Sequence, residues 1–296
     1  MRGLPLLALF SGAICIALSP IWVRVSEVGP TASALWRVTL AVPLLWALYF
    51  SLKTSRKAGA AEIGASQWLP LLAAGLAFAG DLAFWHWSIQ YTSVANSTLL
   101  ANLASVFVTL AVWIFWRRRP RTLFLAGVAA ALAGTALLVR ADLGATPTAL
   151  LGDALGIVTA MFYAWYLLTV KGLRDRGAAT LWLMAVTTSV TALLLVPVAA
   201  ASGEALLPQT PAGWLKLAGL AWISHAGGQS LIAYALAHLP AAFSAVGLLL
   251  QPAMAALFAW ALLGEPLGAP QAAGGAMVLF GIYLAHRGRG EEKGSA

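Results

Sequence analysis

TSVANSTLLANLASVFVTLAVWIFWRRRP (residues 92–120) and HLPAAFSAVGLLLQPAMAALFAWALLGEP (residues 238–266) end on prolines 146 residues apart. At that offset Ala95 meets Ala241 and Ser105 meets Gln251. Identity is low, but the residue classes follow one order: a start of small residues, a polar interruption, an aromatic-rich end, then proline before a Gly/Ala-rich run. Each stretch is apolar over the roughly 20 residues that a membrane-spanning helix needs.

Outward from this pair, apolar runs fall near 5–24, 33–52, 68–89, 93–116, 122–140, 152–170, 180–201, 213–236, 241–263 and 269–286. They predict an all-α membrane protein of ten transmembrane helices. Tight breaks at 91–93, 117–121 and 238–240 favour antiparallel neighbours, and the runs lack the alternation of a membrane barrel. Five helices per repeat is an odd number, so the halves cross the membrane in opposite senses. The expected architecture is two inverted-topology five-helix repeats, a common transporter plan. The first repeat covers 1–141, a linker 142–151, the second repeat 152–286 and a tail 287–296.

Composition agrees. The chain of 296 residues is 61% hydrophobic and 9% charged, against roughly 25% charged in soluble domains, and its mean hydropathy is +0.85. The net charge of +8 does not point to nucleic acid, because the basic residues cluster in short loops between apolar runs. With the N-terminus in the cytoplasm, fourteen Lys and Arg fall on the cytoplasmic side. Arg24, Arg140 and Lys216 fall on the far side, and Arg37 lies within a helix. That bias places both termini inside, although loop 237–240 carries only His238 in its support. The N-terminal run has no clean cleavage site and reads as an uncleaved first helix. Cys15, the one cysteine, excludes an intrachain disulfide and a cysteine metal site. No cofactor is expected.

The stretch HLPAAFSAVGLLLQPAMAALFAWALLGEPLGAPQAAGGAMVLFGIYL (238–284) resembles the second half of an EamA domain of the drug/metabolite transporter superfamily. SPIWVRV (19–25) sits where that family often has a WGSNF-like stretch and a basic residue, and Arg37 matches its second-helix arginine. At the Gly-Glu position of the first half this chain has Arg118-Arg119, a departure. The resemblance implies two EamA repeats, a central substrate cavity and export of small metabolites across a bacterial-type inner membrane. Bacterial aromatic amino-acid exporters are the functional group it is most similar to in character.

The polar residues inside the runs are the candidate site. A charge at the centre of a spanning helix costs about 2.5–3.5 kcal/mol on insertion scales, so Asp81 must pair, be protonated or face water. It reads as a proton- or amine-binding carboxylate, or as a hydrogen-bonded structural group beside Gly80, which would let a neighbouring backbone approach. His86 lies five residues on, about 140° round the helix, between Trp85 and Trp87. His225 and Gln229 share one face. Asn102, Ser105, Ser244 and Gln251 lie at middle depth, and Pro252 deprives a carbonyl of its donor beside Gln251. Trp46, Trp68, Trp113, Trp116, Trp214 and Trp260 lie toward run ends and read as interfacial anchors. Trp22, Trp85, and Tyr163 and Trp165 of YAWY (163–166) suit stacking on a flat ligand or contact with an amine. The expected substrate-binding set is therefore Trp22, Trp85, His86, Asn102, Ser105, Tyr163, Trp165, His225, Gln229, Ser244 and Gln251, with Asp81 a possible proton-coupling group. For each residue, core packing is the competing reading.

A transporter of a small-molecule substrate in the lipid bilayer fits these features, with protons as a possible coupling ion. An enzyme would need a convergent catalytic cluster, and no H-E-x-x-H, P-loop or G-x-S-x-G occurs. Asp81 with two histidines keeps a membrane-embedded enzyme as the alternative class. Drugs or nucleotide sugars are alternative substrates, the latter disfavoured because Arg37 is the only mid-helix cation.

Overall fold

The computed structural model describes residues 3–55, 67–92, 94–139, 147–264 and 267–288. The first half of the expected linker, the tail beyond 288, Arg140 and Pro266 lie outside the described residues. Among the described residues the chain is helical, with no strand. Its helices are α1 (Gly3–Arg24), α2 (Pro30–Leu52), α3 (Trp68–Tyr91), α4 (Asn96–Trp116), α5 (Thr122–Val139), α6 (Pro147–Asp175), α7 (Thr180–Ala201), α8 (211–236), α9 (Ala241–Leu263) and α10 (Ala269–Gly288). Seven of them, α1 to α4, α6, α7 and α9, are long and apolar enough to cross a membrane. α5 is apolar but shorter.

The two halves break their fourth helices at matching places. α4 is interrupted at Asn102 and Leu103, α9 at Leu248 and Leu249, the same 146 residues apart as the prolines. At both breaks the backbone bonds tighten to three-residue spacing: Leu103 N–H donates to Leu100 O at 3.0 Å, and Leu249 N–H to Val246 O at 3.0 Å. Such turns are used in short pieces, often where a helix must change direction. α4 and α9 also both end in the left-handed conformation, at Arg117 (φ 54°) and Gly264 (φ 70°).

In lipid no hydrophobic force drives helices together, so close van der Waals contact must do it. α5 and α10 show this. A Cβ on Gly134 would lie 2.7 Å from the carbonyl of Gly274, and one on Gly274 equally close to that of Gly134. Gly80 of α3 likewise has no room for a side chain, but its neighbour is the Phe162 ring of α6. The expected backbone approach there is thus replaced by an aromatic ring. Trp46 also departs from its interfacial reading, because its Nε1–H donates to Ser189 Oγ at 3.2 Å and the ring packs against the core. Trp68, Trp113, Trp116, Trp214 and Trp260 are exposed.

One end of the bundle is held by two crossed carboxylates. Glu204, before α8, accepts from the first free N–H groups of α2, Ala32 at 2.9 Å and Thr31 at 3.3 Å. Glu27, before α2, accepts from Gln209 and Thr210 N–H, each at 3.1 Å, and from the Thr210 hydroxyl at the start of α8. Each glutamate caps the other segment's helix, where N–H groups lack internal partners and the dipole favours an anion. Trp36 Nε1–H donates to Leu206 O at 2.6 Å and its ring meets Trp214 edge-on at 4.8 Å, which closes the same seam.

The Thr210 hydroxyl, then the two backbone N–H groups and Lys216, hold the Glu27 carboxyl below its ordinary value of 4.5. A lowered folded-state value means that its contribution is complete above 4.5 and is lost as pH falls through the lower value. Acidification below 4.5 should therefore lower the melting temperature of the purified protein. Glu27→Gln should melt lower at neutral pH and lose less on acidification, as thermal unfolding at the two pH values would record.

Candidate functional site

A cavity opens inside the bundle where α1, α2, α3, α4, α6, α8 and α9 converge. Its free space out to the mouth is about 920 Å³, of which about 140 Å³ admits the centres of water-sized molecules.

α3 supplies one wall. Phe78, Asp81, Leu82 and Trp85 recur at three- and four-residue spacing and share a face. His86 joins them despite its angular distance from Asp81. It is 2% exposed, and its Nδ1–H donates to Leu82 O at 2.5 Å. A ring bound that way carries its one neutral-state proton on Nδ1 and offers Nε2 as an acceptor, and Nε2 has no partner.

α4 contributes Thr98 and Asn102. The Asn102 side-chain amide donates to Thr98 O at 2.8 Å, and Ser105 Oγ–H donates to Asn102 O at 3.0 Å. These bonds satisfy backbone carbonyls at the helix break. Pro252 marks the corresponding part of α9, where Gln251 reaches the cavity. α8 is wound as a π-helix over Leu220–Gln229, a geometry often found at functional positions. It brings Leu220 and Gln229 to the wall. From α6 comes Tyr163, on the same wall as Gln229 and Gln251. Gln229 Oε1 and Gln251 Nε2 have no hydrogen-bond partner.

Of the residues expected from the sequence, Trp85, His86, Asn102, Tyr163, Gln229, Gln251 and Asp81 come together on this wall. Trp22, Ser105, Trp165, His225 and Ser244 do not. Trp22 packs its ring against Gly219. Ser105 serves the α4 break. His225 is fully buried, with Nε2 2.9 Å from the Thr188 hydroxyl and its ring 5.3 Å from Phe78. Ser244 is sealed in the core. Trp165 is 41% exposed beside Phe162, so the expectation that it lines the cavity is not met. The helical turn that points Tyr163 inward carries Trp165, two residues later, away from it.

Arg37 is the residue that sequence reasoning passed over. The one mid-helix cation of the sequence, it is not in the expected set, yet it lines the cavity with Ser19 of α1. Its Nε is buried without a partner. A lone arginine in an apolar run was the available signal, since such a charge must face water or protein. Ser19 carried no comparable mark.

Comparison with known proteins agrees with this architecture. The model of the EamA-like transporter family matches residues 3–140 and again 150–287. An uncharacterised transporter of Archaeoglobus fulgidus is 31% identical over 277 residues, covering 89% of this chain and 90% of that protein. A protein of known crystal structure superposes with a TM-score of 0.80 at 16% identity, covering 95% of this chain and 96% of that one; at this identity the likeness is one of fold.

A flat solute stacked on Trp85 gains about 0.5–1.5 kcal/mol. Trp85→Ala should therefore weaken transport of a tryptophan-like solute by up to about tenfold. Trp165→Ala should leave it unchanged. Competition among Trp, Phe, Thr and Ala in proteoliposomes of each variant reads both effects.

Proposed function

Because the chain belongs to the EamA-like transporter family and is a multi-pass membrane transporter of small molecules, we propose that it exports small amphipathic metabolites, amino acids with aromatic side chains among them. Transport runs by alternating access around the cavity between two repeats. The observation that carries this reading is the mixed wall: Phe78, Trp85 and Tyr163 stand beside Arg37, Asp81 and two glutamines. Rings on the wall suit an apolar side chain, and the polar groups suit a charged backbone.

In this reading all ten helices cross a bacterial-type inner membrane, in two repeats of opposite sense joined by the linker 142–151. The matched breaks in α4 and α9 favour the repeat, and the Lys/Arg bias favours cytoplasmic termini. The crossed glutamates then lie at the outer end, on the side from which product leaves. Asp81 is the one carboxylate among the described wall residues, so proton coupling through the cavity would run through it. A nucleotide sugar would call for several cations, and Arg37 stands alone among the described residues of the wall.

Proteoliposomes loaded with radiolabelled amino acids should lose them faster than protein-free vesicles, with aromatic amino acids leaving fastest. Equal leakage from both kinds of vesicle would reject the proposal. Orientation has its own test: on a Cys15→Ser background, a cysteine at Arg119 should resist labelling from outside intact cells, and strong labelling there would reverse the topology.

A further inference from the structure

Arg37 and Asp81 both line the cavity and their charges interact. Yet no nitrogen–oxygen contact within 4.0 Å joins them among the described residues. This is an unusual arrangement in an apolar bundle. Two opposite charges taken out of water normally close into one pair with its hydrogen bonds complete, because breaking such a pair leaves each charge uncompensated. Here Arg37 Nε is sealed from solvent with no acceptor. The neighbouring polar atoms are in the same condition: His86 Nε2, Gln229 Oε1 and Gln251 Nε2 are all buried and unpartnered. The wall thus holds a guanidinium and a carboxyl group that do not touch, each near groups with unused bonding capacity.

We infer that Arg37 and Asp81 form a clamp for a zwitterion, in which Arg37 takes the α-carboxylate of an amino acid and Asp81 its ammonium. The inference rests on the transporter reading and specifies what its cavity selects. A guanidinium presents a fork that fits a carboxylate with two parallel bonds. An ammonium has three N–H donors and no acceptor. Asp81 takes one, and the bare Nε2 of His86 is the wall's neutral acceptor. The two glutamine amides offer both a donor and an acceptor end and complete either group. A bound zwitterion converts two uncompensated charges into two ion pairs and adds no net charge to the membrane interior. An amine or an acid alone satisfies one charge and leaves the other buried and unpaired. Rejection of both follows, because a site built to bond a group penalises ligands that lack it.

The test is competition against radiolabelled L-phenylalanine transport in proteoliposomes. The competitors are phenethylamine, which lacks the carboxylate, and 3-phenylpropanoate, which lacks the ammonium. Wild-type protein should be inhibited by unlabelled phenylalanine, and by the two analogues only at concentrations about tenfold to a hundredfold higher. Asp81→Asn should weaken phenylalanine and improve 3-phenylpropanoate relative to it. Arg37→Gln should do the mirror image with phenethylamine. A gain for one analogue separates loss of a contact from loss of folding. If a variant fails to reach the membrane, the wild-type competition still decides. Analogues that compete as well as phenylalanine overturn the clamp while leaving amino-acid transport intact. Absence of transport for every amino acid removes the proposed function and the clamp together.

Discussion

Arg37 and Asp81, two ionisable side chains from different helices, line one cavity inside a largely apolar bundle. Much of the architecture around them follows from the need to keep two such charges without expelling them or letting them collapse. Helices from both halves of the chain surround the cavity, so neither charge meets lipid. Polar side chains reach it from α3, α4, α6, α8 and α9, and each comes from a helix that departs from regularity or stands beside one that does. Asn102 sits at the α4 break, Gln251 just past the α9 break, and Gln229 ends the π-helical stretch. Irregular backbone at membrane depth is tolerated only where it is buried in protein or faces water. Its concentration around one cavity therefore marks the place where this bundle gives up regular helix for chemistry.

The closed seam and the tight pairs serve the same end. The glutamates at 27 and 204 tie the starts of α8 and α2 together. Glycine contacts lock α5 to α10 at backbone distance, away from the cavity wall. A transporter needs parts that hold and parts that move. The acceptors of the seam, Glu27, Glu204 and the Leu206 carbonyl, lie in segments between helices, where water can replace them, and so the seam can open at modest cost. The glycine-packed pair has no such substitute in lipid.

The apolar runs and the paired prolines made much of the fold legible before any coordinates, because length and hydropathy act residue by residue along the chain. The 146-residue offset of the prolines also relates the two helix breaks, Asn102 to Leu248, although hydropathy alone marks neither break. The site was less legible. Asp81, Trp85 and Tyr163, which reach the cavity wall, stand out in sequence because a polar or amphipathic residue in an apolar run must be accounted for. Ser105 and Trp165 were misplaced because hydropathy does not say which way a helix is turned. Ser105 is used up by a backbone carbonyl of its own helix, and Trp165 points away from the face that carries Tyr163. Arg37 and Asp81 come from different helices, and no local spacing in the sequence links the two.

Access to the cavity from both sides of the membrane is the property on which a transport role stands or falls. The most direct measurement is labelling of Asn102→Cys, on a Cys15→Ser background, in oriented vesicles with a membrane-impermeant maleimide applied to either side. Position 102 lines the cavity wall. Alternating access predicts labelling from each side, slowed from both by millimolar phenylalanine. Labelling from neither side, or from one side alone at a rate phenylalanine does not change, would contradict it.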